Sequence, residues 1–436
     1  VASCVLAVAF TTPPAAHAVT PPPIDHSRLP EPAPPAPPTP TVQREMCSVP
    51  ATHDDKPTQL AGIDLPQVWR LSRGSGQRVA VIDTGVAPHP RLPDTVAGGD
   101  YVSTGDGTQD CDGHGTAVAG IIAAAPDPEQ DGFSGVAPDV TLISIRQSST
   151  KFGAIADPST TGFGDVDTLA KAVRTAADLG ASVINISSVA CVSVDTRLDD
   201  RALGAALAYA VDTKNAVVIA AAGNTGGTAQ CPAQQPETTW DTATVAVSPA
   251  WYDDYVLTVG SVNSRGEPSP FTLAGPWVDV AASGEAVMSL SLTGDGIVNA
   301  LGAEPDSELL SGTSYAAPVV SGLAALIRTR FPALSARQVM QRIETTAHHP
   351  PGGRDSLVGN GVVDVLAAVS TDAPANPPPR DRPVPVAPPT PVAAPDRSSR
   401  NTAFTGAAIC LALLAVTLIA GTVKARLRRT DGVPRD

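Results

Sequence analysis

Aromatic residues are scarce in this 436-residue chain, at 4%, and charged residues make up only 17% of it. Lys and Arg number 29 against 43 Asp and Glu, a net charge of −14. A chain this acidic lacks the clustered Lys and Arg of a nucleic-acid footprint, and no nucleic-acid partner is expected. A second D-T-G or D-S-G loop is missing too. Asp83 carries the one D-T-G, and aspartic proteases need two such loops because two carboxylates share one proton. The acidic pairs Asp54–Asp55, Asp199–Asp200 and Asp253–Asp254 have no full run of oxygen ligands around them. They read as solvated charges, and no metal or other cofactor is expected. No internal repeat is evident.

Proline is plentiful, at 44, but the long middle of the chain has comparatively little of it. It crowds into residues 21–40 and 374–395, two extended tracts around a folded centre. Both chain ends carry membrane signals. The opening VASCVLAVAF resembles the apolar core of a signal peptide, and Ala16-His17-Ala18 offers an A-x-A cleavage site before Val19. No basic stretch and no Met precede it, as in a leader that is truncated or that starts at a non-Met codon. Residues 403–423 carry no charge over 21 positions, and Lys424, Arg426, Arg428 and Arg429 follow at once. As a helix that segment reaches roughly 30 Å, enough to cross a bilayer. The positive-inside rule then leaves the tail in the cytoplasm and the rest outside. The expected organisation is a signal segment (1–18), a Pro-rich extension (19–59), a folded domain (60–371), a Pro-rich linker (372–402), a transmembrane helix (403–423) and a basic tail (424–436).

Cysteine usage fits export. Cys4 falls in the leader and Cys410 in the span, which leaves Cys47, Cys111, Cys191 and Cys231 in an oxidising place. Four cysteines allow three pairings. Nearest neighbours in sequence, Cys47–Cys111 and Cys191–Cys231, are favoured.

The middle alternates short apolar runs with helical patterns. Runs at 78–83, 141–146, 182–187 and 216–223 are apolar on both faces, like strands of a buried parallel sheet. Helical periodicity follows Gly113 and recurs at 166–179, 198–211, 313–330 and 336–347, the last with Ser335 at its N-cap position. Such alternation implies an α/β domain with right-handed crossovers. Ligands in these folds bind at the carboxyl ends of strands, where Asp83 sits.

A carboxylate there can orient a histidine. Of seven His, His114 stands apart in DCDGHGTAVAGIIAAA, between two glycines that allow close approach. His17, His26, His53, His89, His348 and His349 read most simply as solvent-exposed. Leu310-Ser-Gly-Thr-Ser-Tyr-Ala-Ala-Pro318 offers Ser314 as a nucleophile at a helix start, with Pro318 suited to a first turn. Asn224 ends the run AAAGN, and its amide suits an oxyanion hole. The chain order is Asp, His, Ser.

These segments resemble the subtilisin-like serine peptidases, the subtilases, over roughly residues 60–370. D-T-G at Asp83, H-G-T at His114, A-G-N at Asn224 and G-T-S-x-A-A-P at Ser314 match that family's motifs in its order. The resemblance implies a three-layer α/β domain with a central, mainly parallel sheet and serine endopeptidase activity. It implies that Asp83 orients His114, that His114 takes the proton of Ser314, and that Asn224 stabilises the oxyanion. A narrower resemblance covers nearly the whole chain. VTPPPID, the Cys47 extension, SPAWYDDYVLTVGSV, GPWVDVAASGE, the Pro-rich stalk and the C-terminal span are similar to the mycosins, membrane-anchored subtilases of type VII secretion systems. It implies protein substrates secreted by the type VII system, a type VII membrane complex as partner, and membrane attachment through the C-terminal helix. A structural subunit with secondary proteolysis is the alternative.

Departures from the family pattern set further expectations. Asn185-Ile-Ser-Ser-Val-Ala190 lacks the glycines that pair with a substrate backbone, so Val189 and Ala190 are expected to narrow the cleft. Tyr315 stands where the family usually has Met. The extension is too short for an independently folded inhibitory prodomain, and a Cys47–Cys111 bridge would fasten it across the domain. The long 147–165 loop is expected to act as a lid or a partner surface.

Overall fold

A computed structural model describes residues 19–53, 60, 62–159, 161–226, 231–294, 296–302, 307–370, 416 and 419–421. The leader, the Pro-rich linker, the basic tail and all but four residues of the expected span lie outside that set. Among the described residues no helix is long and apolar enough to cross a membrane. The chain divides into two compact units, Val1–Pro377 and Pro378–Asp436. The second has four described residues, helical and exposed.

The first unit is organised by one seven-stranded sheet. Its strands are β1 (Arg78–Asp83), β2 (Thr95–Asp100), β3 (Thr141–Arg146), β4 (Val183–Ile186), β5 (Val217–Ala221), β6 (Leu257–Val262) and β7 (Val278–Ser283). They lie in the order β7-β6-β5-β4-β1-β3-β2, with every pairing parallel. Val79, Ala80, Val81 and Ile82 of β1 are all fully buried. Successive strand residues face opposite sides, so both faces of the sheet are covered and the domain has three layers. Each fully buried Val or Ile contributes about 1.5–3 kcal/mol, which holds such a strand at the centre of the sheet.

Helix α1 (His114–Ala123) packs against α4 (Thr313–Arg330), and α2 (Val166–Asp178) against α3 (Arg201–Ala208). Helix α5 (Ala336–Thr346) opens on Ser335, which forms a capping box with Gln338, as its sequence position suggests. The chain runs from β1 outward through β2 and β3, then crosses to β4 on the other side of β1. Strand order therefore reverses at β1, whose carboxyl end bears Asp83.

Two polar residues expected in solvent are buried. His89 is only 5% exposed, and its Nδ1 accepts the Arg91 amide at 3.1 Å. Asp200 is 1% exposed at the start of α3. Its carboxylate accepts Ser248 Oγ (2.5 Å), Trp251 Nε1 (2.8 Å) and Tyr252 OH (2.9 Å). Ser248, Trp251 and Tyr252 of SPAWYDDY thus form its cradle, and a fully partnered buried acid replaces the solvated charge expected there.

The Pro-rich extension belongs to the first unit. Val19 buries its side chain in the core, and its amide donates to Trp240 O at 2.8 Å. Arg174 of α2 donates to Pro30 O at 3.1 Å. Pro35 lies where a side chain on Gly99 would be, 2.2 Å from its ideal Cβ position. The strand Thr41–Gln43 then pairs antiparallel with Phe152–Ala154, and Pro50–Ala51 pairs with Ala300–Leu301. The 147–165 loop, expected as a lid or a partner surface, is thereby tied to the extension through Phe152–Ala154. Asp112 ties it a second time, accepting Ser149 Oγ (2.5 Å), the Thr150 amide (2.7 Å) and Thr150 Oγ1 (2.6 Å). Cys47 is bonded to Cys111, and Cys191 to Cys231.

Candidate active site

Asp83 ends β1 with its side chain 2% exposed. Its Oδ1 accepts the Thr84 amide at 2.7 Å and lies 2.7 Å from His114 Nδ1. His114 is the first residue of α1, preceded by Gly113 at φ +81°. That left-handed conformation suits glycine and turns the chain abruptly into the helix. Gly115 allows the close approach itself, since a Cβ there would lie 2.0 Å from Gly85 O and 3.2 Å from Asp83 Cβ. The sequence places these glycines for a physical reason: they bring the helix start against the strand end.

Ser314 Oγ lies 2.9 Å from the other imidazole nitrogen, His114 Nε2. Ser314 is the second residue of α4. Pro318 comes later than a first turn: it is the sixth helical residue, so Ser314 O has lost its i+4 N–H donor. Ser187 Oγ replaces that donor at 2.9 Å. Ser187 in turn accepts Asn185 Nδ2 (2.8 Å), and Asn185 Oδ1 accepts Ser321 Oγ (2.8 Å). The carboxyl end of β4 and helix α4 thus grip the Ser314 backbone together. The N-x-S pattern of Asn185 and Ser187 carried that signal.

Asn224 follows β5. Its Oδ1 accepts both the amide and the hydroxyl of Thr313, each at 2.9 Å. With Oδ1 occupied, Nδ2 turns toward Ser314. An atom at the ideal Cβ position of Gly312 would lie 3.0 Å from both Asn224 Nδ2 and Ser314 Oγ. Gly312 therefore leaves open the space between amide and hydroxyl. A carbonyl oxygen entering there can reach Nδ2 as the hydroxyl attacks its carbon.

Asp83, His114, Ser314 and Asn224 come from four distant stretches and converge at one end of the sheet. Tyr315 packs its ring 5.0 Å from the imidazole. Burial works against charge on His114. The charge and hydrogen bond of Asp83 outweigh it, with Asp110 and Asp112 behind them, and hold the imidazole above its ordinary value. The arrangement can make a weakly nucleophilic hydroxyl reactive near neutrality.

Beyond Val189, Ala190–Ser193 pairs antiparallel with Val245–Ser248. Val189 Cγ2 lies 3.4 Å from the place a Cβ on Gly223 would take. The Cys191–Cys231 bond fastens that strand to the segment after Asn224, whose carbonyl accepts the Cys231 amide at 2.9 Å.

Residues 74–361 match the model of the subtilase family, Peptidase_S8. Mycosin-4 of Mycobacterium tuberculosis is 69% identical, over 95% of this chain and 93% of its own length. The chain belongs to the mycosins, within the subtilase family. Solved mycosin structures share its fold. The MycP3 protease from the type VII (ESX-3) secretion system superposes with a TM-score of 0.76 at 47% identity, covering 81% of this chain and 100% of that one. A chain of an intact ESX-5 inner membrane complex gives 0.76 at 42% identity, covering 93% and 100%. This mycosin is accordingly a subtilisin-like serine protease. The acids and hydroxyls around its motifs (Asp110, Thr313, Ser187) escape a search for catalytic residues because their part is to hold other groups.

Proposed function

We propose that Asp83, His114 and Ser314 cleave peptide bonds through an acyl-enzyme, with Asn224 and the Ser314 amide as the oxyanion hole. The observation that carries this is the continuous chain from Asp83 Oδ1 to His114 Nδ1 (2.7 Å) and from His114 Nε2 to Ser314 Oγ (2.9 Å). His114 takes the hydroxyl proton as Oγ bonds to the carbonyl carbon, and Asp83 stabilises the imidazolium formed. The tetrahedral adduct collapses as His114 passes that proton to the leaving amine. Water then repeats the sequence on the ester and frees Ser314.

The substrates are proteins exported by a type VII system. Cleavage after Ala18 frees the mature chain, residues 403–423 anchor it, and the catalytic domain stands outside the membrane. The uncharged run and the basic residues after it support that orientation. A second role, as a part of the secretion complex, is favoured by one observation. A chain alike over 93% of this one is seated in an ESX-5 inner membrane complex.

A fluorophosphonate probe tests the chemistry on the full chain in detergent. Labelling of the wild type that vanishes in Ser314→Ala is expected, because loss of the nucleophile removes about 10⁶-fold of rate. A folded wild type that resists the probe counts against the mechanism. Secretion that survives Ser314→Ala but fails on deletion assigns the essential role to assembly.

A further inference from the structure

Asp110 precedes His114 by four residues, is 8% exposed, and has no part in the chemistry above. Its carboxylate gathers five donors. Oδ1 accepts Thr84 Oγ1 (2.9 Å) and the amides of Asp112 (3.1 Å) and Gly113 (2.8 Å). Oδ2 accepts the amide and the hydroxyl of Thr116, at 2.8 and 2.7 Å. The two threonines reach further. Thr84 Oγ1 accepts the Gly115 amide at 2.9 Å, and Thr116 Oγ1 accepts the Ala87 amide at 2.9 Å.

Proton accounting fixes the carboxylate as an acceptor. Backbone amides only donate, so those of Asp112, Gly113 and Thr116 make both Asp110 oxygens acceptors, while the Thr84 and Thr116 oxygens take the Gly115 and Ala87 amides and turn their own protons toward the carboxylate. An ionised carboxylate, which only accepts, completes the set. An amide in either orientation would turn its NH2 against a backbone N–H, and protonation would take acceptor capacity from one of the two oxygens. Thr84 follows Asp83 directly, and Gly113, Gly115 and Thr116 enclose His114. The network therefore spans from the strand end that carries Asp83 to the helix start that carries His114.

We propose that Asp110 is a positioning residue for peptide hydrolysis, whose ionised carboxylate clamps the Asp83 loop to the His114 helix through Thr84 and Thr116. The proposal rests on the reading of Asp83, His114 and Ser314 as the catalytic groups. The charge of Asp110 acts on His114 of α1 and Tyr315 of α4, and the Asp83 and Asp112 carboxylates act on the same imidazole. Burial pushes Asp110 up to about 6, against the pull of the Thr116, Gly113 and Thr84 donors. Protonation of the imidazole and protonation of Asp110 both switch the site off as pH falls.

The rate of Ser314 labelling by a fluorophosphonate, followed from pH 5 to 9 on the full chain in detergent, tests this without a known substrate. For the wild type, the acid limb is expected to steepen beyond a single proton. In Asp110→Asn it is expected to follow one proton and to move to lower pH, because a negative neighbour of His114 is gone. The rate on its plateau should fall on the order of 10- to 100-fold, the scale for small misplacements of reacting groups. Thr84→Val and Thr84→Ser serve where Asp110→Asn fails to fold: Val breaks the clamp and Ser keeps its hydroxyl. Loss in Val with recovery in Ser supports the clamp. A folded Asp110→Asn with the wild-type rate and limb overturns it, as do equal rates in Val and Ser, and in both cases a labelled wild type leaves the triad reading intact. A wild type that is folded and unlabelled at every pH overturns the triad reading, and the clamp with it.

Discussion

On the Asp83–His114 side of the site, a buried carboxylate gathers five donors, and two further acids, Asp83 and Asp112, lie close to a single imidazole. On the Ser314–Asn224 side every holding group is neutral: Thr313 on Asn224, Ser187 on the Ser314 carbonyl, Asn185 and Ser321 behind them. In the proposed mechanism the first half changes its charge, and fixed negative charge there stabilises an imidazolium. The second half must stay the same while an oxyanion comes and goes, which suits preorganised dipoles. Damage to the first half should therefore alter the pH profile, and damage to the second should lower the rate at every pH alike.

Asp83→Asn should break the comparison hardest. Loss of the triad carboxylate costs on the order of 10⁴-fold in kcat. The sign of the accompanying pH shift follows from the causes at His114. Burial lowers its pKa, and Asp83 is the leading influence that raises it. In the wild type the acid limb of kcat/KM should thus lie above the ordinary imidazole value of about 6.5. Without the Asp83 charge, burial prevails and the limb should move to lower pH even as the rate collapses. An unmoved limb would show that Asp83 acts through geometry alone.

Asn224→Ala probes the neutral half. Removal of one oxyanion donor costs on the order of 10²–10³-fold in kcat. Here the loss should be equal from pH 6 to 9, with KM nearly unchanged, because no titratable group is disturbed. A loss concentrated at one end of the pH range would join the two halves electrically and spoil the distinction.

The same division governs what the sequence made legible. Asp83, His114, Asn224 and Ser314 each sit in short motifs with glycines whose function is steric, and a strand or helix end is visible beside each. The runs at 78–83, 141–146, 182–187 and 216–223 were plain because a buried parallel strand is apolar on both faces. Strands β2, β6 and β7 were not legible as such runs, because Gly98 and Gly99 interrupt β2, Gly260 interrupts β6 and Asp279 interrupts β7. The seating of the extension was hidden as well. Pro-rich sequence announces an extended chain but not what it lies against, and Pro35 is held by the absence of a side chain at Gly99, far away in sequence. Asp200 was misjudged because an acid pair looks solvated until its three donors, some fifty residues later, are folded onto it.

The smallest expected effect is the sharpest test of the neutral half. Ser187→Ala removes the donor that substitutes for the N–H missing at Pro318, leaving Ser314 O unpaired in a buried place. A buried polar group left so costs about 1–3 kcal/mol, and a share of it felt at the nucleophile lowers labelling by about tenfold for each 1.4 kcal/mol. The pH profile should keep its shape. Pro318→Ala offers the natural rescue, because it restores a main-chain N–H four residues beyond Ser314. In the double variant Ser187→Ala/Pro318→Ala, the helix can satisfy its own carbonyl, and much of the lost rate should return. Strictly additive losses in that cycle would mean that the Ser187 hydroxyl and the proline are energetically independent, and that the nucleophile is held by the Thr313–Asn224 contacts instead.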